Sequence, residues 1–197
     1  DPSLFEISAS ISPAISTVGI VTWSFKGTAP LSSAEIAFGR TTDYEYTAPV
    51  DLTEPSFRTL LLGMKPDTLY HYEIRIISGG LPYNSGDQTI LTGPVINWPG
   101  ATPTIDTAVS GAAEKGFIVT SSYTEQNQGG PISFILDPDG DLVWWFQTSL
   151  DKVSAAKMTF DGKHMVIVPV NLLGTQGTIT VVSMDGLNSK ILNFSGA

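Results

Sequence analysis

Three aspartates alternate along one short segment of the chain, at Asp137, Asp139 and Asp141. Carboxylates presented from every second residue are typical of calcium loops, in which oxygen atoms surround the ion. Such a loop also needs a bidentate glutamate at a set distance, and that position lacks one here. Pro138 and Gly140 instead favour a tight reversal between two strands. The pattern therefore predicts a turn rather than a metal site, and we assign no metal ligand.

The two histidines, His71 and His164, are the candidates for general acid or base chemistry. Both lie in predicted strands with large apolar or aromatic neighbours. A hydrolase triad needs a nucleophile, a base and an orienting group, and neither histidine has a nucleophile elbow or paired carboxylates nearby in sequence. The glycines fall in predicted hairpin turns, which argues against a phosphate loop. We therefore predict structural or exposed histidines and assign no catalytic or cofactor-binding residue and no cofactor.

Trp144, Trp145 and Phe146 form an aromatic run that could stack against a sugar or an aryl substrate. Adjacent residues of a strand point to opposite faces, so we expect at most one tryptophan against the blade core, while the other faces a neighbour or solvent. The outward tryptophan is then a candidate for an interface or a ligand. Packing between blades is the favoured prediction.

The charge and composition of the chain limit its partners. Its 19 acidic residues exceed its 10 basic residues, which are scattered, and the formal net charge is −9. Without a basic stripe, neither a nucleic acid nor an anionic membrane surface is an expected partner. No apolar run reaches the roughly 20 residues that span a bilayer. The absence of cysteine excludes disulfides and thiolate metal sites.

Size and composition also bear on organisation and location. A chain of 197 residues that is 42% hydrophobic can fold as one large or two modest domains. Low charge with abundant Ser, Thr, Gly and Asn suits a protein that is secreted, periplasmic or at the cell surface. The chain begins at Asp1 rather than Met, so we expect that it has been processed or is a piece of a longer protein.

The first half of the sequence predicts a β-sandwich. Short alternating stretches are separated by turn residues, as in residues 19–25, where Trp23 lies on the apolar face. The run Gly-Met-Lys-Pro-Asp-Thr-Leu-Tyr at residues 63–70 is similar to the corner of fibronectin type III domains, in which a tyrosine hydroxyl ties a strand to the preceding turn. Tyr70 takes that place. The resemblance implies a fibronectin-III-like or Ig-like sandwich over residues 1–92.

Finer predictions concern the end of this half. Residues 56–62 read as a strand, and Gly79-Gly80 and Asn84-Ser85-Gly86 read as hairpin turns. A segment rich in proline and glycine at residues 93–103 then predicts the domain boundary. Its apolar residues suggest that this linker packs against one domain or both.

The second half has a repeating rhythm. Asp-Gly pairs at residues 139–140, 161–162 and 185–186 recur at the spacing of about one hairpin each. Such repetition predicts β-propeller-type blades over residues 104–197. A propeller needs at least about four blades, and this segment supplies roughly two. We therefore predict a partial propeller.

The segment Ile-Ser-Phe-Ile-Leu-Asp-Pro-Asp-Gly-Asp-Leu-Val-Trp-Trp-Phe at residues 132–146 resembles the blades of the bacterial arylsulfotransferase family. Residues 160–168 and 180–186 resemble the strands that follow. Members of that family pair an N-terminal β-sandwich with a propeller. They pass the sulfuryl group of an aryl sulfate to a phenol through histidines and an arginine in the central channel. His164 falls on an early strand and no arginine follows Arg75, so none of those positions is matched here.

Two functions from different classes therefore remain open. The resemblance implies the N-terminal portion of an exported arylsulfotransferase-like protein, with the sulfuryl-transfer site beyond Ala197 and an aryl sulfate as substrate only if the parent is catalytic. The alternative is a non-catalytic extracellular scaffold, adhesion or self-assembling surface protein. In that case exposed edge strands pair with copies of the chain. For the arylsulfotransferase-like protein, the expected partners are the remaining propeller blades. Whether the chain belongs to an enzyme stays uncertain at this point.

Overall fold

The computed structural model describes residues 1–96, 98, 116–122, 131–148, 153–169 and 176–195. These residues form antiparallel sheets and two short 3-10 helices, Pro2–Leu4 and Pro55–Phe57, which confirms the predicted all-β class. The chain divides into two compact units. Unit 1 comprises Asp1–Ser12 with Ser16–Pro94, and unit 2 comprises Pro13–Ile15 with Val95–Ala197. None of the helices in the described ranges is long and apolar enough to cross a membrane.

Unit 1 contains two antiparallel sheets. One has the strand order β1-β2-β5, and the other has the order β4-β3-β6-β7. Strand β8 pairs with the first half of β6, while β7 pairs with its second half. The strands are β1 (Phe5–Ile11), β2 (Gly19–Phe25), β3 (Leu31–Gly39), β4 (Tyr46–Pro49), β5 (Thr59–Leu61), β6 (Leu69–Ser78), β7 (Leu81–Asn84) and β8 (Gln88–Leu91).

The core of unit 1 follows from the alternation of side chains along these strands. Every second residue of β6 from Tyr70 to Ser78 is buried, and the intervening side chains lie on the outer face. Val21 and Trp23 are buried from the opposite sheet. Burial of each large apolar side chain stabilises the folded state by roughly 1.5–3 kcal/mol. Side chains from both sheets contribute to one core. Its cluster comprises Phe5, Val21, Trp23, Ile36, Phe38, Ala48, Leu61, Met64, Tyr70, Tyr72, Ile74, Ile76 and Ile90.

The predicted tyrosine contact is present at the start of β6. The backbone N–H of Lys65 donates a hydrogen bond to Tyr70 Oη at 2.9 Å. Burial is the main cause that raises the pKa of Tyr70, so the phenol stays neutral. Asp67, in the intervening turn, has a φ of 48°. The hydroxyl therefore ties the strand to the turn that precedes it.

Two local predictions for unit 1 are wrong. Residues 56–62 do not form one strand, because Ser56 has a φ of 53° within the second 3-10 helix and β5 begins only at Thr59. The segment at residues 84–86 is not a hairpin turn, because β7 and β8 pair with successive halves of the same strand. The chain passes from β7 to β8 at Ser85, whose Oγ accepts a hydrogen bond from the backbone of β6 at 2.9 Å.

Unit 2 contains two antiparallel sheets in its described ranges. Spatial order follows chain order in both, as β9-β10-β11 and as β12-β13-β14-β15, so each sheet is a meander of consecutive strands. Strand β9 contacts β12. The strands are β9 (Ile118–Ser122), β10 (Ile132–Leu136), β11 (Leu142–Gln147), β12 (Val153–Met158), β13 (His164–Pro169), β14 (Gln176–Ser183) and β15 (Ser189–Ser195).

All three Asp-Gly turns of unit 2 are present. Gly140, Gly162 and Gly186 have φ values of 86°, 68° and 73°, a left-handed conformation that glycine adopts without a Cβ clash. Each glycine N–H closes its turn by donating to the carbonyl three residues earlier. The predicted reversals are thus confirmed at all three positions.

The second and third turns share one hydrogen-bond pattern. Thr159 Oγ1 donates to Asp161 Oδ1 at 2.6 Å, and Ser183 Oγ donates to Asp185 Oδ1 at 2.5 Å. In each turn the same carboxylate oxygen also accepts the backbone N–H two residues later, at 3.0 Å. Both turns therefore share a four-residue pattern, in which a hydroxyl residue is followed by any residue, then Asp and then Gly. The spacing of the Asp-Gly pairs alone did not reveal this pattern.

Candidate functional site

The outer face of the larger sheet in unit 1 carries a group of charged and polar side chains that contact one another. Glu35 on β3, Arg75 on β6 and Asn84 on β7 lie opposite one another in the strand register. Residues directly opposite on neighbouring strands have Cβ atoms roughly 5 Å apart. Because these positions alternate with core residues, their side chains share the outer face. The sheet thus builds a polar row across three strands.

Beside this row, Asp87 joins a tyrosine and a histidine. Tyr44 Oη donates a hydrogen bond to Asp87 Oδ1 at 3.0 Å, and His71 Nδ1 lies 2.8 Å from Asp87 Oδ2. Asp87 reaches this position because β8, which begins one residue later, pairs with the first half of β6. An ionised carboxylate can only accept, so this contact places a proton on Nδ1 of His71.

Arg75 links the polar row to this group. Its Nε donates to Glu73 Oε1 at 2.9 Å, its Nη1 lies 3.9 Å from Glu35 Oε1, and its guanidinium lies 5.3 Å from the centroid of the Tyr44 ring. The hydrogen bond to Glu73 raises the pKa of Arg75 further. The cation therefore stays charged and is held from two sides.

Tyr44 is the most constrained residue of the group. Its φ of 50° is uncommon for a residue other than glycine. Burial and then the hydrogen bond to Asp87 raise the pKa of Tyr44 to about 12. The phenol is therefore neutral at physiological pH and donates to the carboxylate throughout that range.

This arrangement supports binding better than catalysis. In the part of the chain that the structure describes, no hydroxyl nucleophile bonds to His71, so the third member of a triad is not assembled there. Next to the group, however, an open groove of about 600 Å³ runs over the sheet. Its lining includes Ser33, Glu35, Glu73, Arg75, Tyr83 and Asn84.

Sequence reasoning did not find this group. Asp87 is separated from His71 by 16 residues, and nothing in the local pattern shows that the two side chains meet. The signal that could have found it is the alternation of β6, which places His71, Glu73 and Arg75 on one face. The prediction of a structural or exposed histidine omitted the carboxylate partner.

In unit 2, the three alternating aspartates do come together. Asp137, Asp139 and Asp141 have carboxylate oxygens within 4.8 Å of one another. Asp137 is buried, and its Oδ1 accepts the backbone N–H groups of Asp139 at 3.0 Å and Asp141 at 2.8 Å. These bonds are those of the predicted turn, in which the buried carboxylate organises the backbone.

Of the two alternatives for the second tryptophan of unit 2, exposure to solvent or a ligand is wrong. Trp144 and Trp145 are both buried, with exposed fractions of 1% and 5%, which agrees with the alternative that the second one faces a neighbour. The two point to opposite faces of β11 as expected, and both faces are covered. Trp144 Nε1 donates to the carbonyl oxygen of Met184 at 2.8 Å and so links the two sheets of unit 2. Packing between blades, the favoured interpretation of this segment, stays a prediction.

The remaining candidates are structural. His164 is half-buried at the start of β13, and its backbone N–H donates to Thr159 Oγ1 at 3.0 Å in the second Asp-Gly turn.

In the segment predicted as a linker, the N–H of Gly93 donates to Ser16 O within unit 1. Trp98 packs edge-on against Phe134 within unit 2. The other linker residues, Asn97 and those at 99–103, lie outside the described residues.

No protein-family model matches this chain, and no curated protein is similar to it.

Proposed function

We propose that this chain is the N-terminal portion of an exported arylsulfotransferase-like protein, in which a fibronectin-III-like sandwich precedes the first blades of a β-propeller. The sulfuryl-transfer site of that protein would then lie beyond Ala197. The observation that carries the proposal is the meander β12-β13-β14-β15, four strands in chain order, because propeller blades are four-stranded sheets of this kind.

The repeated turns support the same proposal. Thr159-Phe160-Asp161-Gly162 closes the β12–β13 hairpin and Ser183-Met184-Asp185-Gly186 closes the β14–β15 hairpin, with the same hydrogen bonds. Repetition of one local turn is typical of folds built from repeated units. The bond from Trp144 to Met184 fits packing between successive blades.

The sandwich half of the proposal rests on strand order and on one side chain. Two facing sheets of order β1-β2-β5 and β4-β3-β6-β8 are consistent with a fibronectin-III-like arrangement. The hydrogen bond between Lys65 and Tyr70 is the contact that the corner of such domains uses. An Ig-like sandwich of another kind would leave the proposed function unchanged.

Exposed apolar side chains in unit 2 favour further contacts there. Large hydrophobic residues with exposed fractions of at least 40% occur on both of its described sheets and at its turns, and such surface commonly marks an interface. They are Phe117, Ile118, Met158, Phe160, Leu187, Ile191 and Leu192. Further blades of the same chain would cover this surface. In the alternative function, a non-catalytic scaffold, copies of the chain would cover it.

Two measurements test the proposal. The intact mass of the native protein should exceed that of the 197-residue chain, and the native protein should transfer the sulfuryl group of para-nitrophenyl sulfate to a phenol. The 197-residue chain alone should release no nitrophenolate. A native mass equal to that of 197 residues, with concentration-dependent assembly in light scattering and no turnover, would refute the enzyme and support the scaffold.

A further inference from the structure

The groove on the outer face of unit 1 is independent of the proposed sulfuryl-transfer function. Two rows of side chains cross β3, β6 and β7 there. One row is Glu35, Arg75 and Asn84, and the other is Ser33, Ile77 and Pro82. Successive rows on one face of a sheet are about 6.6 Å apart along the strand. The groove therefore has a polar side and a more apolar side.

The polar row combines donors and acceptors. Glu35 and Glu73 offer carboxylate oxygens on two sides of Arg75, whose Nη2 makes no contact with another described side chain. The side-chain amide of Asn84 can donate and accept, and the described residues give it no partner. An anionic ligand would meet two carboxylates, and a cationic ligand would meet the guanidinium. A neutral ligand whose groups both donate and accept fits this row best.

The other row suits the apolar face of such a ligand. Ile77 is 42% exposed although it lies on the longest strand of the sheet, and Pro82 is exposed beside it. The ring of Tyr83 takes no part in this row, because Tyr83 lies opposite the buried Ile76 and packs against Phe25 on the core side of the sheet. A pyranose offers this combination, with hydroxyl groups around its edge and C–H groups on its faces, which pack against apolar and aromatic side chains.

A peptide fits the same groove less well. An extended peptide gains most of its affinity by pairing its backbone with an exposed strand edge. The strand at this edge is β7, and Pro82 in its middle has no N–H to donate.

The polar side chains of the groove hold their positions without a ligand, because Glu73 and the Tyr44 ring fix Arg75.

We propose that this groove binds a neutral oligosaccharide, with Arg75, Glu35 and Asn84 bonding its hydroxyl groups and Ile77 and Pro82 contacting its ring faces.

Isothermal titration calorimetry on the 197-residue chain tests this proposal with four neutral probes: cellohexaose, xylohexaose, maltohexaose and the hexamer of N-acetylglucosamine. We expect at least one to bind with a Kd of about 1 mM or tighter. Arg75→Ala and Glu35→Gln should each weaken that binding about tenfold, because each removes a hydrogen bond to a charged group. Arg75→Lys keeps the charge but not the planar fork, so an intermediate loss is expected.

A matched control lies on the other sheet. Glu6 on β1 is exposed and pairs with Lys26 at 3.1 Å, so Glu6→Gln should leave the sugar affinity unchanged. Circular dichroism melting confirms that each variant folds. The proposal is overturned if none of the four sugars binds, or if binding survives both Arg75→Ala and Glu35→Gln. It is also overturned if a hexagalacturonate or an extended hexapeptide binds more tightly and depends on the same residues.

Discussion

The two units of this protein bury their apolar residues in different ways. Unit 1 places thirteen buried side chains from two facing sheets into one cluster. In the described part of unit 2, the sheet β12-β13-β14-β15 buries Met165, Ile167 and Val182, while Val166 and Val181 on its other face are only half-buried. A sandwich closes its core with two sheets, whereas a repeated sheet needs a neighbour on each face.

The buried tryptophans show the same difference. Trp144 in unit 2 donates its indole N–H to the carbonyl oxygen of Met184, in the turn between β14 and β15. Trp23 in unit 1 is 2% exposed, and its Nε1 has no hydrogen-bond partner among the described residues. Trp23 instead packs among aromatic rings, with Phe57 at 4.5 Å and Phe5 at 6.2 Å between centroids. Unit 1 depends on aromatic packing here, while unit 2 uses a directional bond between sheets.

The largest expected effect comes from core truncation in unit 1. Ile74→Ala removes a fully buried side chain and should cost about 2–5 kcal/mol of the free energy of unfolding. Val166→Ala in unit 2 should cost less, because Val166 is only half-buried and a smaller volume is removed. Urea unfolding monitored by hydrogen exchange measures both losses, because exchange reports the stability of each unit separately.

Ile77→Ala is the control for core truncation, since Ile77 lies on the same strand as Ile74 but is 42% exposed. Its cost should stay within about 0.5 kcal/mol. Equal losses for Ile74→Ala and Val166→Ala would remove the difference between the two units.

The second prediction compares Trp144→Phe with Trp23→Phe. Both changes remove similar volume, but only the first leaves a buried carbonyl oxygen, that of Met184, without its donor. Trp144→Phe should therefore cost about 1–3 kcal/mol more than Trp23→Phe. The comparison uses urea midpoints with the m-value held constant. A larger loss for Trp23→Phe would show that an unseen partner satisfies the indole of Trp23.

Alternation and turn chemistry account for the part of the fold that sequence reasoning predicted. Tyr70 and Trp23 were placed correctly because a strand has a period of two. The three Asp-Gly turns were found because glycine is favoured at left-handed positions. These signals are local, so a single pass along the sequence detects them.

The rest depends on which strands become neighbours. Asp87 meets His71 only because β8 continues along β6 after β7 ends, and no residue near Asp87 specifies that register. The burial of both Trp144 and Trp145 likewise requires cover on two faces of β11, which alternation alone does not supply. The candidate groove was not predicted because its polar row combines side chains from three strands that are distant in sequence.

A smaller effect is expected at the corner of unit 1. Tyr70→Phe removes the acceptor of the Lys65 N–H and should cost about 0.5–1.5 kcal/mol, since Lys65 is only half-buried and water can replace the phenol. Tyr72→Phe on the same strand is the control, because a buried ring is retained at both positions and Tyr72 makes no such bond to the turn. Thermal unfolding measures both. Equal shifts would mean that the corner hydrogen bond adds nothing to ring packing.

The smallest effect is a pH dependence at Tyr44. Its pKa is raised to about 12 from 10.0, first by burial and then by Asp87, so folding favours the neutral phenol. The stabilisation is fully present below pH 10 and is lost as the pH rises through 12. Unfolding of wild type should therefore become easier over that range than unfolding of Tyr44→Phe.

Asp87→Asn sharpens the test at Tyr44, since it keeps the shape of the side chain and removes its charge. The pKa of Tyr44 should fall but remain above 10.0, because burial, the largest cause, is unchanged. Ultraviolet titration of the phenolates, with Tyr44→Phe subtracted, isolates this residue from Tyr70 and Tyr72, whose pKa values burial also raises. An unchanged Tyr44 titration in Asp87→Asn would mean that the carboxylate does not hold the phenol, and that the charged face of unit 1 is less ordered than its core.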